Sequence, residues 1–436
     1  MTINTDIDDI LQKLKPVLPT VVKKLWYWNL FSSEDDSDVA NKNFLKLLAD
    51  KYAKVDYEEL IRLPPPSRQE TRGQFHLGNV IYPNKVYSEI GLTEQDLLRH
   101  VFIAGMTGSG KTNLVLQLLT QLAEHKIPFL VFDWKQNYRK LKQVPVLKNL
   151  RVIRLGEEGS DFAFNPLIPP PGIHPRHWMP MLIDILKHSY FLGHGVEYIL
   201  RKAIDQLYEQ FGVYRGSKRY PTFIELEKVL VKEYVKGREM LWMSSAKRAI
   251  ASLTFKGILR EVLNVQENRN LDKLLEENVI IEMDNLATLE KTFMAESLIL
   301  WLYHFKKSQG KSNSLNHVTV LEEAHHVLSA KKERAEGEET VIETTLRMIR
   351  EFGEGVIVID QEPSKLSQSV IANTSTKICF NLGAGNDILV MTRSMNLKPD
   401  EQRYIDKLRI GEAIVKCKYR FNEPVLLRVP LVKLSY

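Results

Sequence analysis

The stretch Gly105-Met106-Thr107-Gly108-Ser109-Gly110-Lys111-Thr112-Asn113 follows directly on the apolar run "HVFIA" at 100–104. Its spacing, one glycine, four residues and then Gly110-Lys111-Thr112, is that of a P-loop, whose backbone N–H groups wrap a triphosphate while the lysine reaches the outer phosphates. Such a loop constrains its surroundings: a strand must precede it and a helix must come after. Both are legible. "HVFIA" has the composition of a buried strand, and "KTNLVLQLLTQLAEH" sets Leu114, Leu118 and Leu122 on one side of a helix. Thr107 and Ser109 keep the loop slim enough to approach phosphate, and Thr112 supplies a hydroxyl for Mg²⁺. The expected cradle is therefore Gly105, Thr107, Gly108, Ser109, Gly110, Lys111, Thr112 and Asn113.

A strand–loop–helix unit needs a sheet to sit in. From residue 99 onward, short apolar runs alternate with helical stretches. The strand candidates are 100–104, 127–133, 150–155, 278–283, 317–322, 355–360, 377–382, 412–416 and 425–429. Near-continuous apolarity in the first six predicts burial on both faces, as in a mainly parallel α/β sheet. The last two are short with charged flanks, which suits an edge. Residues 171–277 break the alternation with helical periodicity, as in "WMPMLIDILKHSYFL" and "GVEYILRKAIDQLYEQFGV", and read as an all-helical insertion. Ahead of the core, residues 1–62 read as a small helical region, with Ser37 or Asp38 as a cap and Phe44, Leu47, Leu48 and Tyr52 on one face. "LPPPSR" at 63–68 forbids helix and marks a boundary. Residues 63–98 then carry one or two short strands around Pro83-Asn84, leading into a core at 99–436.

The 436 residues are 44% hydrophobic and 26% charged, an ordinary balance for a water-facing protein with a large core. No apolar run approaches the roughly 18 residues of a membrane span, and no targeting segment is apparent, so a cytoplasmic protein without a membrane partner is expected. Cys379 and Cys417 each lie in a strand-like run and read as buried thiols. The net charge of +6 permits a polyanionic partner without demanding one.

Binding a nucleotide is not hydrolysing it. Hydrolysis needs an anion near Mg²⁺ and a base beside the attacking water. "VTVLEEAHH" offers both at a strand end, with Glu322 placed to assist the metal and Glu323 to polarise water; a solvated cap on the next helix is the plainer reading of the same pair. His325 and His326 lack the i, i+4 spacing of a helical zinc site. Further on, Gln361 ends a strand as a neutral donor and acceptor, suited to sensing a γ-phosphate or the lytic water. Arg350, or alternatively Arg347, could reach a neighbouring subunit's nucleotide, although a surface helix charge is the plainer reading of either. "WKQNYRKLK" at 134–142 and "SAKKERAEGEE" at 329–339 are candidate contacts for a DNA backbone, or simply solvated loops.

Taken together, "GMTGSGKTN", "VFDWKQNY", "FNPLIPPPG", "VTVLEEAHH", "REFGEGVIVIDQEPSKL" and "IGEAIVK" resemble the HerA-FtsK superfamily of P-loop motors, nearest its HerA branch, over residues 73–430. The resemblance implies a RecA-like (ASCE) P-loop fold and ATP with Mg²⁺ as cofactors. It further implies a hexameric ring that hydrolyses ATP between subunits and moves double-stranded DNA, acting with a nuclease or other effector in DNA processing or defence. It assigns Lys111 and Thr112 to phosphate and Mg²⁺, Glu322 to the Walker B acid, Glu323 to the catalytic base, Arg350 to a finger acting in trans and Gln361 to a sensor. Asp133 matches a recurrent acid of the family. Two departures stand out: the helical reading of 1–62 replaces the usual small β-barrel, and the membrane helices of coupling proteins have no counterpart.

Overall fold

The computed structural model describes residues 23–24, 61–82, 85–155, 157, 161–331 and 339–432. The chain divides into one compact unit of residues 1–62 with 83–85 and another of 63–82 with 86–436. The helix expected over 37–52 lies outside the described residues. The sheet and the expected nucleotide site both belong to the second unit.

One sheet of eleven strands organises it. In chain order these are β1 (Phe75–Ile81), β2 (Val86–Leu92), β3 (Val101–Ala104), β4 (Phe129–Asp133), β5 (Arg151–Arg154), β6 (Val279–Glu282), β7 (Ser312–Leu321), β8 (Phe352–Asp360), β9 (Thr376–Cys379), β10 (Glu412–Cys417) and β11 (Phe421–Arg428). They lie in the order β2-β1-β11-β10-β9-β3-β8-β7-β4-β6-β5. From β9 to β5 every pairing is parallel, and from β9 to β2 every pairing is antiparallel. The mainly parallel α/β sheet expected from the apolar runs is thus present, with an antiparallel wing.

The edges differ from expectation. β10 and β11 are interior strands, because the β1–β2 hairpin pairs onto β11 and covers it. Their charged flanks are consumed locally: Arg420 donates to Asp96 Oδ2 at 2.8 Å and to the carbonyl of Gly91 at 2.7 Å, and Arg428 pairs with Glu412 at 2.9 Å. β5, expected to be doubly buried, is an edge with three of its four residues half-buried. β9 stops at Cys379, three residues short of the expected end at 382, and Phe380 and Asn381 lie against the glycine-rich loop.

Helices fill both faces. In chain order they begin with α1 (Glu94–Leu98) and α2 (Lys111–Glu124), the latter burying Leu114, Leu118 and Leu122 completely. Between β5 and β6 lie α3 (Pro175–Tyr190), α4 (His194–Gln210), α5 (Phe223–Lys232), α6 (Glu239–Thr254), α7 (Ile258–Leu263) and α8 (Lys273–Glu276). This insertion has a core of its own, in which the Trp178 indole donates to the Pro166 carbonyl and the Tyr208 hydroxyl to that of Leu167. α9 (Thr288–Gln309) is buried on every side from Thr292 to His304 and spans insertion and sheet; Phe293 meets Phe223 with ring centres 5.8 Å apart. α10 (Val341–Ile349), α11 (Gln368–Asn373), α12 (Gly385–Met395) and α13 (Arg403–Asp406) complete the described helices.

A buried ion network locks α9 to the sheet. Glu354 of β8 accepts from Lys306 Nζ at 2.9 Å and Thr319 Oγ1 at 2.7 Å, and faces His317 Nδ1 at 2.8 Å. Burial opposes its ionisation, but His317 and Lys306 outweigh burial and hold the carboxyl at about 2. A carboxyl depressed in the folded state contributes stability above its unfolded value, lost as pH falls toward 2. Glu354→Gln should therefore cost about 3–5 kcal/mol at neutral pH, since it strands a buried ammonium. Urea unfolding should recover most of that loss when Lys306→Met is added; a double variant as unstable as the single one would contradict the pairing.

Candidate functional site

Parallel pairing brings four strand ends into one row. Ala104 is in register with Asp360, Leu321 with Val358, and Phe132 with Leu321, so β3, β8, β7 and β4 release their chains side by side. The C-terminal rim of such a sheet is where ligands bind in open α/β folds. The glycine-rich loop leaves β3 there, and Gly110 caps α2 at φ 119°, a conformation that disfavours any side chain. A Cβ on Gly110 would also meet the Phe380 ring at 3.1 Å and Gly411 Cα at 3.3 Å. The loop is pinned from below: Met106 N–H donates to Asn381 O at 2.8 Å and Gly411 N–H to Ser109 O at 2.9 Å.

Lys111 is buried, and its ammonium donates to the carbonyls of Gly105 and, at 2.9 Å, Met106. Burial pulls its pKa down to about 8, against the opposing pull of Glu323 and Asp360. Asn113, expected in the phosphate cradle, turns its side chain elsewhere: it donates to Pro430 O at 2.8 Å and accepts from Val432 N–H at 2.9 Å. Only its backbone remains on the loop side of α2.

The two glutamates after β7 have different surroundings. Glu322 is buried; its Oε1 accepts from Asn137 Nδ2 at 2.9 Å and Tyr138 OH at 3.2 Å. Burial, with Asp133 close by, pushes the Glu322 carboxyl up to about 7. Its Oε2 is buried without a hydrogen-bond partner. One orphaned carboxylate oxygen, together with the Thr112 hydroxyl in the first turn of α2, suits a hard divalent cation completed by water and phosphate oxygens. Glu323 takes the left-handed conformation at φ 45°, which swings its side chain away from its neighbour's. Glu323 Oε1 accepts from Lys135 Nζ at 2.5 Å and from Gln361 Nε2. Gln361 Oε1 in turn accepts from Thr107 Oγ1 at 2.5 Å, so a continuous chain joins glycine-rich loop, Gln361, Glu323 and Lys135.

Asp133 explains how Lys135 and Asn137 arrive. Fully buried at the end of β4, it accepts from the backbone N–H groups of Lys135, Asn137 and Tyr138 at 3.0, 3.1 and 3.1 Å. It thereby folds the 134–138 turn over the glutamates. The basic stretch 134–142 is accordingly not a free loop: Lys135 holds Glu323, and Arg139 holds the buried Glu282. Lys140 and Lys142 remain exposed. The other stretch, 329–339, lies mostly outside the described residues. His325 faces Asp360 at 3.0 Å, and His326 stacks on Trp134 with ring centres 4.7 Å apart. Sequence reasoning does not single out Lys135, Asn137, Tyr138 or Asp360 as site residues; the acid that ends β4, with a polar turn after it, is the available signal.

Arg350 lies elsewhere. It closes α10 just before β8 begins, whereas Gln361 lies just after β8 ends. Nine strand residues at roughly 3.3 Å each put it about 30 Å from the glutamates of its own chain. Arg350 is exposed, while Arg347 pairs with Glu339 at 2.8 Å.

The chain has known relatives. Residues 75–300 match the family described as helicase HerA, central domain. The chain belongs to that HerA family. It is 25% identical over 366 residues to the DNA double-strand break repair helicase HerA of Sulfolobus acidocaldarius, covering 79% of this chain and 66% of that one. The protein of the same name from Saccharolobus solfataricus is 24% identical over 359 residues, with the same shares covered. The chain thus spans 66% of the length of these HerA relatives. Among solved structures, VirB4 of Thermoanaerobacter pseudethanolicus superposes with a TM-score of 0.61 at 14% identity, covering 85% of this chain and 98% of that one. The bacterial conjugative coupling protein TrwB gives 0.58 at 12% identity, covering 84% and 92%. At such identity these two establish the α/β P-loop fold alone.

Proposed function

We propose that the chain is an ATP-hydrolysing, DNA-translocating motor or helicase of the HerA type, active as a ring, with a hexamer the expected form. The observation that carries the reading is the row formed by Lys111, Glu322, Glu323 and Gln361 at one sheet rim. Lys111 and the loop N–H groups would hold the triphosphate of ATP, and Thr112 and Glu322 would hold Mg²⁺, which when bound would supply charge neutralisation for the phosphates. Glu323 orients and deprotonates water, and Gln361 reports phosphate occupancy of the loop to Glu323. The relatives named as DNA repair helicases support duplex DNA as the partner. A nuclease or other effector would supply any cleavage chemistry, in repair or in defence against foreign DNA.

In such a ring Arg350 is the candidate finger. An arginine about 30 Å from its own nucleotide site completes a pocket only in a neighbouring subunit, where such fingers contribute about 10³ to 10⁵ in rate. Mixing Arg350→Ala with Lys111→Ala protein should restore part of the turnover that each lacks alone, because some mixed interfaces regain both groups. Absence of recovery despite demonstrated subunit exchange would make Arg350 structural. DNA action is tested separately: linear duplex DNA should stimulate ATP turnover, and the stimulation should weaken steeply with added salt. A turnover indifferent to DNA would turn the reading toward a nucleotide-gated scaffold.

A further inference from the structure

The antiparallel wing holds an arrangement that the nucleotide site does not use. Lys377 of β9 and Lys416 of β10 are directly paired across the two strands, and both are buried, at 7% and 8% exposure. Ile378 and Val415, their chain neighbours, belong to the core under α2, so strand alternation turns both lysines to the opposite face. There they line a groove of about 880 Å³ with Lys418, Arg393 and Asn396. Glu423 is the one carboxylate in that lining.

Like charges directly opposite on a sheet destabilise it, and burial adds to the cost. Lys377 Nζ is met by the Thr374 carbonyl at 2.6 Å, a neutral acceptor. Burial lowers its pKa to about 8, with the charges of Lys416 and Lys418 acting in the same direction. Glu423 acts on Lys416, but two lysines paired across the strands, with Lys418 and Arg393 beside them and a single carboxylate in the lining, leave the groove an excess of positive charge for an anion to relieve. We infer that this groove is a second anion site, taking a compact, multiply charged phosphorylated molecule of nucleotide size. The volume lies in the range of small-molecule pockets. The recessed position of the two lysines favours a terminal phosphate that can enter over the phosphodiesters of a duplex, which are met by protruding side chains. The inference does not rest on the proposed function, because the groove lies on other strands and the test silences the glycine-rich loop.

The test is calorimetric titration of the full chain with inorganic tripolyphosphate, in a Lys111→Ala background. One binding event is expected. Adding Lys377→Gln and Lys416→Gln should weaken it by at least about tenfold, as loss of charge-assisted hydrogen bonds requires. Replacing exposed Lys126 and Lys256 by glutamine should leave it unchanged, which excludes an effect of net charge alone. Without ligand, the Lys377→Gln, Lys416→Gln protein should melt no lower than its parent, since a repulsion has been removed. Should that variant not fold, Arg393→Gln with Lys418→Gln, both at exposed positions, should weaken tripolyphosphate binding in the same direction. Equal affinity in parent and groove variants would overturn the site. So would a fall in affinity for a short DNA duplex with none for tripolyphosphate, which would make the groove part of a phosphodiester track.

Discussion

Lys111→Ala protein should turn over ATP at least about 10³-fold more slowly than the parent while remaining folded. Lys111 is the one cation held within the glycine-rich loop itself, buried and hydrogen-bonded to the carbonyls of Gly105 and Met106. A fixed charge aimed at the transferring phosphoryl group is expected to stabilise it by several kcal/mol, and each 1.4 kcal/mol is about tenfold in rate. Stability should change little, because the pinning contacts of the loop run through the backbone of Met106, Ser109 and Gly411 and survive the substitution. Lys111→Arg should fail as well, since a planar guanidinium does not fit between two loop carbonyls. Phosphate release under saturating ATP and Mg²⁺ measures the effect, with thermal unfolding as the control for folding. Turnover within tenfold of the parent would remove the loop from the reaction.

What the sequence disclosed and what it withheld divide along one line. The glycine-rich loop, the Glu322–Glu323 pair and Gln361 are legible because each follows an apolar run, so local pattern places it on the strand rim. Asp133 was visible as an acid, but its task was not. It acts through the backbone of residues 135, 137 and 138, and the turn it builds meets Glu323 only because β4 lies beside β7, a pairing across nearly two hundred residues of chain. Lys135 therefore reads as a possible DNA contact when it is the ion-pair partner of Glu323. The edge assignment failed for the same reason. Charged flanks on β10 and β11 resemble an edge until Arg420 is seen reaching back to Gly91 and Asp96, in segments more than three hundred residues earlier. Side-chain alternation carries no information about which distant hairpin will cover a strand. Nor does it reveal that Lys377 and Lys416, unremarkable separately, are cross-strand neighbours.

Glu323→Gln should leave nucleotide affinity within about threefold and lower turnover by about 10² to 10⁴, the usual contribution of a positioned general base. The amide preserves the shape of the side chain and still accepts a hydrogen bond from Lys135 or Gln361, so the chain from Thr107 through Gln361 persists. What it loses is the basic lone pair. The neighbouring Glu322 does not substitute, because the left-handed turn at Glu323 sends the two carboxylates apart and Asn137 and Tyr138 fix Glu322 through its Oε1. Glu322→Gln should instead weaken the response to Mg²⁺, so the two variants separate the roles by their signatures: one binds and stalls, the other loses metal dependence. Affinity measured with a fluorescent ATP analogue, set beside single-turnover hydrolysis, distinguishes them. In the described structure Lys135 and Gln361 both donate to Glu323 Oε1, and Gln361 ties that carboxylate to Thr107 of the glycine-rich loop. Gln361→Ala should accordingly raise hydrolysis in the absence of DNA while blunting its stimulation by DNA, since the tie between the loop and Glu323 is cut. Equal loss of binding and turnover in Glu323→Gln would assign that carboxylate to holding the nucleotide.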